Sequence, residues 1–156
     1  MIYLNIGSNI EPRREYLRLA VEALRRHLPG RYKVSAEVES APWGYNSATR
    51  YINIGVAIEP ADGSMSPIEI LQATQRAQAE VDPSPHRDAS GGYVDRRVDI
   101  DIIAIDSLVT DDEQLTLPHP RMSLRDFVLR PMDELAPQWK HPSSGLTCRE
   151  MLERLK

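Results

Sequence analysis

Residues 1–156 predict one domain of mixed helix and strand, its elements arranged in two layers around a single core. Three observations carry that expectation. β-Branched runs at Ile2–Ile6, Tyr51–Glu59 and Arg96–Ile105 have the composition of strands. Between them, the stretches after Pro12 and after Ser66 repeat apolar residues at helical spacing. The 156-residue chain, 41% hydrophobic and 27% charged, is long enough for one core, and no repeat, low-complexity tract or linker divides it.

The formal net charge of −4 argues against a general nucleic-acid binder, which carries a basic excess. A single cysteine, Cys148, forms no internal disulfide, so nothing calls for an oxidising compartment. No apolar run approaches the roughly 18 to 20 residues of a membrane span, and no basic segment leads into a long apolar one. A cytoplasmic protein without membrane or nucleic-acid partners is expected; the sequence leaves the oligomeric state open.

In chain order, the strand Ile2–Ile6 runs into Gly7-Ser8-Asn9, residues that tolerate unusual backbone angles. Pro12 suits the first turn of a helix, along which Leu17, Ala20, Val21, Leu24 and Leu28 form an apolar stripe opposite Arg14, Arg18, Glu22 and Arg25. Pro29-Gly30 ends it. Tyr32–Glu39 alternates as a second strand, and Tyr51–Glu59 reads as a third with Ile52, Ile54, Val56 and Ile58 on one face. The ten residues Ser40–Thr49 between them exceed what a hairpin needs, a length associated with function. Trp43 in that loop is either cover for the core or a grip on a flat ligand.

Ser66-Pro67-Ile68-Glu69 has the form of a capping box with proline at the first helical position. The helix it starts packs through Ile70, Thr74, Ala77 and Val81, while Leu71, Gln75 and Gln78 share an adjacent, mostly polar face. Residues 82–95 are rich in turn formers and lead straight into the next strand. With His86, Arg87 and Arg96 they have the make-up of a closing lid, the alternative being a surface loop without a role. Further on come a small strand at Gln114–Leu117, His119 fixed between two prolines and flanked by Arg121 and Arg125, and a last helix capped by Thr147-Cys148-Arg149-Glu150 and packed through Met151, Leu152 and Leu155.

The strand at 96–105 carries the chemistry. Alternation puts Val98, Ile100, Ile102 and Ala104 on one face, and Asp99 and Asp101 with Ile103 and Ile105 on the other. Two carboxylates roughly 7 Å apart along an extended chain suit a hard cation, and oxygen donors without nearby cysteine or histidine favour Mg²⁺ over zinc. A solvated polar face beside Arg96 and Arg97 is the competing reading. Acids at the edge of a buried face favour the cation, because an unpaired buried charge is costly.

Four segments in this order and spacing resemble the 6-hydroxymethyl-7,8-dihydropterin pyrophosphokinase family: Ile6-Gly7-Ser8-Asn9, Tyr51-Ile52-Asn53, Asp95 through Ile102, and Pro118-His119-Pro120-Arg121 through Leu129. The resemblance spans nearly the whole chain. It implies a ferredoxin-like α+β fold, an antiparallel sheet with helices packed on one face and the active site on the other. It also implies pyrophosphoryl transfer from ATP, the co-substrate, to the pterin's hydroxymethyl group in folate biosynthesis, with two Mg²⁺ ions.

By that resemblance Asp99, Asp101 and Arg96 are catalytic, and the two aspartates hold both ions. Tyr51 and Phe127 sandwich the pterin, Asn53 reads its edge, and Ser40, Ala41 and Trp43 touch it from the loop. Leu71, Gln75, Arg96, Ile102, Thr116, His119 and Arg125 are the ATP positions, with Leu71 and Ile102 beside the adenine and Arg96 and His119 at the phosphates. The chain departs from the family pattern in four places. Its usual Gly-Arg-x-Arg after the second helix is absent, leaving His86 and Arg87 as the nearest basic residues and Arg87 as the expected catalytic arginine of the loop. Tyr93-Val94-Asp95-Arg96 stands for Trp-Gly-Pro-Arg, Gln78 for a common glutamate, and Gln114 for an arginine; Tyr93 and Gln78 are expected on the substrate side. The altered loop motivates one alternative, a catalytically impaired homologue that still binds pterin or nucleotide.

Overall fold

The computed structural model describes residues 1–42, 49–83, 89 and 95–156. Trp43, His86, Arg87 and Tyr93 lie outside the described residues. In chain order the elements are β1 (Ile2–Ser8), α1 (Arg13–His27), β2 (Gly30–Val34), β3 (Val38–Ser40), β4 (Tyr51–Pro60), α2 (Pro67–Val81), β5 (Asp99–Ile105), β6 (Thr110–Asp111), β7 (Thr116–Leu117), a 3₁₀ turn at Met122–Leu124, α3 (Asp126–Leu135) and α4 (Cys148–Arg154). The main sheet runs β2-β4-β1-β5, antiparallel throughout, with β3 also paired to β4. Two helical crossovers in this order make the split βαβ arrangement of a ferredoxin-like α+β fold.

One face of the sheet is the larger core. Ile2, Leu4 and Ile6 of β1, Ile52, Ile54, Val56 and Ile58 of β4, and Ile100 and Ile102 of β5 meet Leu17, Ala20 and Leu24 of α1 and Ile70, Ala73 and Ala77 of α2. α2 begins as expected: the Ser66 hydroxyl accepts from the Glu69 N–H and the Glu69 carboxylate from the Ser66 N–H. The opposite face is divided. α3 and α4 cover one part of it through Val128, Leu129, Met132, Cys148 and Met151, and the other part holds the site. Helices therefore lie on both sides of the sheet, and Phe127 reaches the site from the end of α3.

Two local irregularities depart from simple alternation. The single strand expected over Tyr32–Glu39 is broken into β2 and β3, because Ser35 takes over the pairing at Gly55. Its N–H donates to the Gly55 carbonyl at 2.9 Å, and its hydroxyl accepts from the Gly55 N–H at 2.8 Å. In β5, the register against β1 shifts between Tyr3, opposite Ala104, and Leu4, opposite Ile102. Ile103 is the extra residue of this bulge, and a bulge reverses the alternation beyond it. Ala104 consequently turns to the α3–α4 side and Ile105 to the α1–α2 side, the reverse of their expected faces. Leu155, expected to pack, is 41% exposed.

Gly55 is a point of close approach between α3 and the sheet. A Cβ there would stand 2.7 Å from Pro131 Cβ and 3.1 Å from Leu135 Cδ1. Gly55→Ala is expected to lower stability by about 1–3 kcal/mol through overpacking, measured by denaturant unfolding. An unchanged midpoint would mean that α3 gives way freely.

Candidate active site

Strand register assembles the site. Gly7 of β1 pairs with Asn53 of β4 on one side and Asp99 of β5 on the other, and Asn5 pairs with Gly55 and Asp101. Residues paired across neighbouring strands share a face, so two rows, Asn53-Gly7-Asp99 and Gly55-Asn5-Asp101, run side by side on the face opposite the larger core. Phe127 and Arg125 overhang them from the α3 end, and Ser40, Ala41 and Tyr51 close the β3–β4 edge of a slot that these five residues line with Asn5, Gly7, Asn53, Asp99 and Asp101.

The two amides of the slot are each held by definite partners. Asn53 Nδ2 donates to the Val38 carbonyl at 3.0 Å and to Ser40 Oγ at 2.8 Å. With its donors used on β3, Asn53 turns its carbonyl oxygen over Gly7. A Cβ on Gly7 would lie 2.9 Å from that oxygen and 3.1 Å from the Tyr51 ring. Glycine is what lets the amide and the aromatic ring lie flat against the strand. Asn5, 5% exposed, donates to the Phe127 carbonyl at 3.0 Å and so fixes the first turn of α3 over the slot. The Arg125 guanidinium sits 5.8 Å from the Phe127 ring centre.

A second, larger cavity of about 320 Å³ lies along α2, lined by Leu71, Thr74, Gln75, Gln78, Ala79, Asp82, Pro83, Asp99, Ile100 and Asp101. Asp99 and Asp101 line both cavities. They form the partition between a narrow slot walled by rings and an amide and a wider space walled by a helix.

The electrostatics of this partition are unfavourable for the bare protein. Burial pushes the Asp101 carboxyl above its usual range, and Arg125 and Arg96 pull it back. Burial, followed by Arg125 and Arg121, drives His119 down to about 4, opposed by Asp99. Its Nδ1 accepts from the Arg121 N–H at 3.2 Å, which places the proton of the neutral ring on Nε2. His119 is anchored by its own N–H on the Ile103 carbonyl at 2.8 Å, at the β5 bulge. Among the described residues no group of three or more His, Cys, Asp and Glu side chains gathers as a metal cage. The donor set at the partition is two carboxylates, which fits a hard cation that completes its shell with water and phosphate oxygens.

The structure brings Asp99, Asp101, Ser40, Ala41, Tyr51, Asn53, Arg125 and Phe127 together, and puts Leu71 and Gln75 on the second cavity. Gln78, expected on the substrate side, lines that second cavity instead, its Oε1 accepting from the Ile100 N–H at 2.8 Å along the outer edge of β5. An unpaired edge donor has captured the polar side chain. Ile102 is a core residue under α1 and α2, in the cluster that Leu71 borders. Thr116 lies outside both linings, its hydroxyl donating to the Asp112 carbonyl at 3.3 Å. Arg96, 4% exposed, turns its Nε to Asp82 at 3.3 Å. Asn5 and Asp82 escaped the sequence reading; for Asn5 the signal was an amide inside an apolar strand, in step with Gly7.

Fold and site define a split βαβ domain with two adjoining small-molecule cavities that share a carboxylate wall. The family whose model matches residues 3–137 is described as 7,8-dihydro-6-hydroxymethylpterin-pyrophosphokinase, and the chain belongs to that family. It is 34% identical over 146 residues to the 2-amino-4-hydroxy-6-hydroxymethyldihydropteridine pyrophosphokinase of Porphyromonas gingivalis strain W83, covering 92% of this chain and 95% of that one. It is 37% identical over 137 residues to the protein of the same name from Bacillus subtilis strain 168, covering 87% and 78%. The solved structure described as HPPK-DHPS in complex with substrates has a TM-score of 0.70 at 11% identity. That match covers 98% of this chain and 42% of that chain, so the chain spans less than half its length and the likeness is one of fold.

Two predictions follow from the charges. Asp101→Asn removes a desolvated carboxylate, so the ligand-free variant should be more stable than the parent at pH 7 in denaturant unfolding; a lower midpoint would contradict the burial argument. His119 is neutral in the native state down to about pH 4, whereas an ordinary histidine binds a proton near 6.5. Between those values the unfolded chain binds more protons, so His119 makes stability fall as pH drops from 6.5 towards 4. His119→Gln should flatten the pH dependence of the unfolding midpoint over that window, and an identical slope would show that the imidazole is not held neutral.

Proposed function

We propose that the chain transfers the pyrophosphoryl group of ATP to the hydroxymethyl oxygen of 6-hydroxymethyl-7,8-dihydropterin, with release of AMP, and that it requires Mg²⁺. Family membership supports the reaction. The observation that carries its placement is the shared wall: the same two aspartates border the slot suited to a flat ring and the cavity suited to a nucleotide.

In this reading the pterin lies between Tyr51 and Phe127, a stacking arrangement favoured by its flat ring. The Asn53 carbonyl oxygen accepts from an N–H on the ring edge, and Ser40 keeps that amide in place. Leu71 and Gln75 take the nucleoside end of ATP along α2. The triphosphate then runs towards Asp99 and Asp101, which would hold the magnesium ions. Magnesium held by these two carboxylates would supply positive charge to offset the negative charge that develops as the bond between the α- and β-phosphoryl groups breaks.

The hydroxymethyl oxygen forms its new bond to the β-phosphorus and loses its proton to solvent, and AMP departs with the bridging oxygen and the electron pair of the broken bond. Arg125 and Arg121 place positive charge beside the transferred group. His119 offers Nε2–H as a neutral donor, so it contributes a hydrogen bond without a titrating charge at neutral pH. The slot aims the acceptor oxygen and the partition aims the donor phosphate, so positioning supplies much of the rate.

The test is AMP release from ATP with and without the hydroxymethyl pterin. Pterin-dependent AMP that disappears on chelation of Mg²⁺ is the expected result; binding of pterin or ATP without turnover would overturn the reading. Asp99→Ala and Asp101→Ala should each cut turnover by about a hundredfold or more with the fold retained. Parent-like rates in either variant would remove the aspartates from the chemistry.

A further inference from the structure

Asn9, at the end of β1, makes contacts that a turn residue does not require. It is 1% exposed. Its N–H donates to the Arg96 carbonyl at 3.1 Å, and its Oδ1 accepts from the Arg96 N–H at 2.8 Å. Together these prolong the β1–β5 pairing past Asp99 and fix the backbone three residues ahead of it. The amide nitrogen works in two further directions, donating to Asp95 Oδ1 at 2.8 Å and, at the longer distance of 3.5 Å, to the Thr49 carbonyl. Thr49 lies two residues before Tyr51, whose ring walls the slot. The Arg13 guanidinium, at the start of α1, donates to the Arg50 carbonyl at 2.9 Å, so Asn9 and Arg13 together hold the approach to β4 at two successive residues.

On the other side, Asp82 at the end of α2 accepts from Arg96 Nε at 3.3 Å and from the Arg97 N–H at 3.0 Å. Arg96 is thus pinned by Asn9 through its backbone and by Asp82 through its side chain.

We propose that Asn9 is a positioning residue for pyrophosphoryl transfer, one amide that joins the chain entering Tyr51 to the chain entering Asp99 and so sets the ring slot in register with the carboxylate wall. An asparagine suits the task because one planar group both accepts and donates. Loss of either function frees one approach relative to the other, and a misplacement on the ångström scale between acceptor oxygen and phosphorus is costly in rate.

The decisive variant is Asn9→Asp, which keeps the acceptor for the Arg96 N–H but loses the amide donors and sets two carboxylates against each other at Asp95. Its turnover number should fall about tenfold or more, with a smaller change in either KM. Adding Asp95→Asn restores the donor–acceptor pair at 95 with the partners exchanged but does not restore the donor to the Thr49 carbonyl, so it should recover part of the turnover and not all of it. Unchanged turnover in Asn9→Asp, or full recovery in the double variant, overturns the proposal. If Asn9→Asp fails to fold, Asp95→Ala replaces it: the Asp95 side is exposed, so melting should be unchanged while turnover falls, and parent-like turnover overturns the proposal.

The kinetic arm rests on the pyrophosphokinase reading, which fails by itself if the parent protein makes no pterin-dependent AMP. Hydrogen exchange on the ligand-free protein needs no activity. In Asn9→Asp the segments 49–53 and 95–101 should both exchange faster by about tenfold, and in the double variant 95–101 should recover while 49–53 stays fast. A response of one segment alone in Asn9→Asp, or recovery of both in the double variant, contradicts the joint.

Discussion

The pairing of β1 with both β4 and β5 is the constraint on which the rest of this protein depends. β1 supplies the middle residues of both site rows, Gly7 and Asn5, and those residues do little chemistry themselves. Gly7 gives room for a ring and an amide to lie flat, and Asn5 ties the start of α3 over the slot. A slip of one residue along β1 would turn Asp99 and Asp101 into the apolar core and bring Ile100 and Ile102 into the site. The apolar seal against α1 and α2, with Ile6, Ile52 and Leu24 each 1% exposed or less, is what forbids that slip. Core packing and active-site geometry are in this sense the same fact seen from two faces of one sheet.

The site also carries a standing electrostatic cost. A half-buried carboxylate at Asp101, raised in pKa by desolvation, a histidine held neutral and converging arginines do not make the most stable protein; in the proposed reading, added positive charge and phosphate oxygens would relieve the conflict together. Stability given up at a site in exchange for preorganisation is a general feature of enzymes. Here the conflict has one address, the carboxylate wall between the cavities.

Much of this was legible from composition and spacing. The β-branched run with alternating aspartates, the Ser66–Glu69 capping box and the apolar stripes of both long helices follow from local rules, and the rings and amide of the slot follow from family resemblance. What escaped reading depends on tertiary partners. The bulge at Ile103 reverses Ala104 and Ile105, and nothing in a run of four branched or small apolar residues marks where an extra one sits. Ser35 interrupts a strand because its hydroxyl competes for the Gly55 N–H, a preference invisible without β4 beside it. Gln78 turned from a substrate-side expectation to an edge-capping acceptor because β5 is the last strand of the sheet. Arg96 is legible as a basic residue near the acids, but its orientation is decided by Asp82, fourteen residues earlier and adjacent only in the fold.

Asp99 and Asp101, in the proposed reading, are the joint at which nucleotide and ring acceptor meet. Anomalous diffraction from crystals grown with Mn²⁺, a non-hydrolysable ATP analogue and the hydroxymethyl pterin would locate that joint. Anomalous density is expected between the two carboxylates and the phosphates, with the pterin ring between Tyr51 and Phe127. Manganese bound to the phosphates but away from both aspartates would contradict that reading.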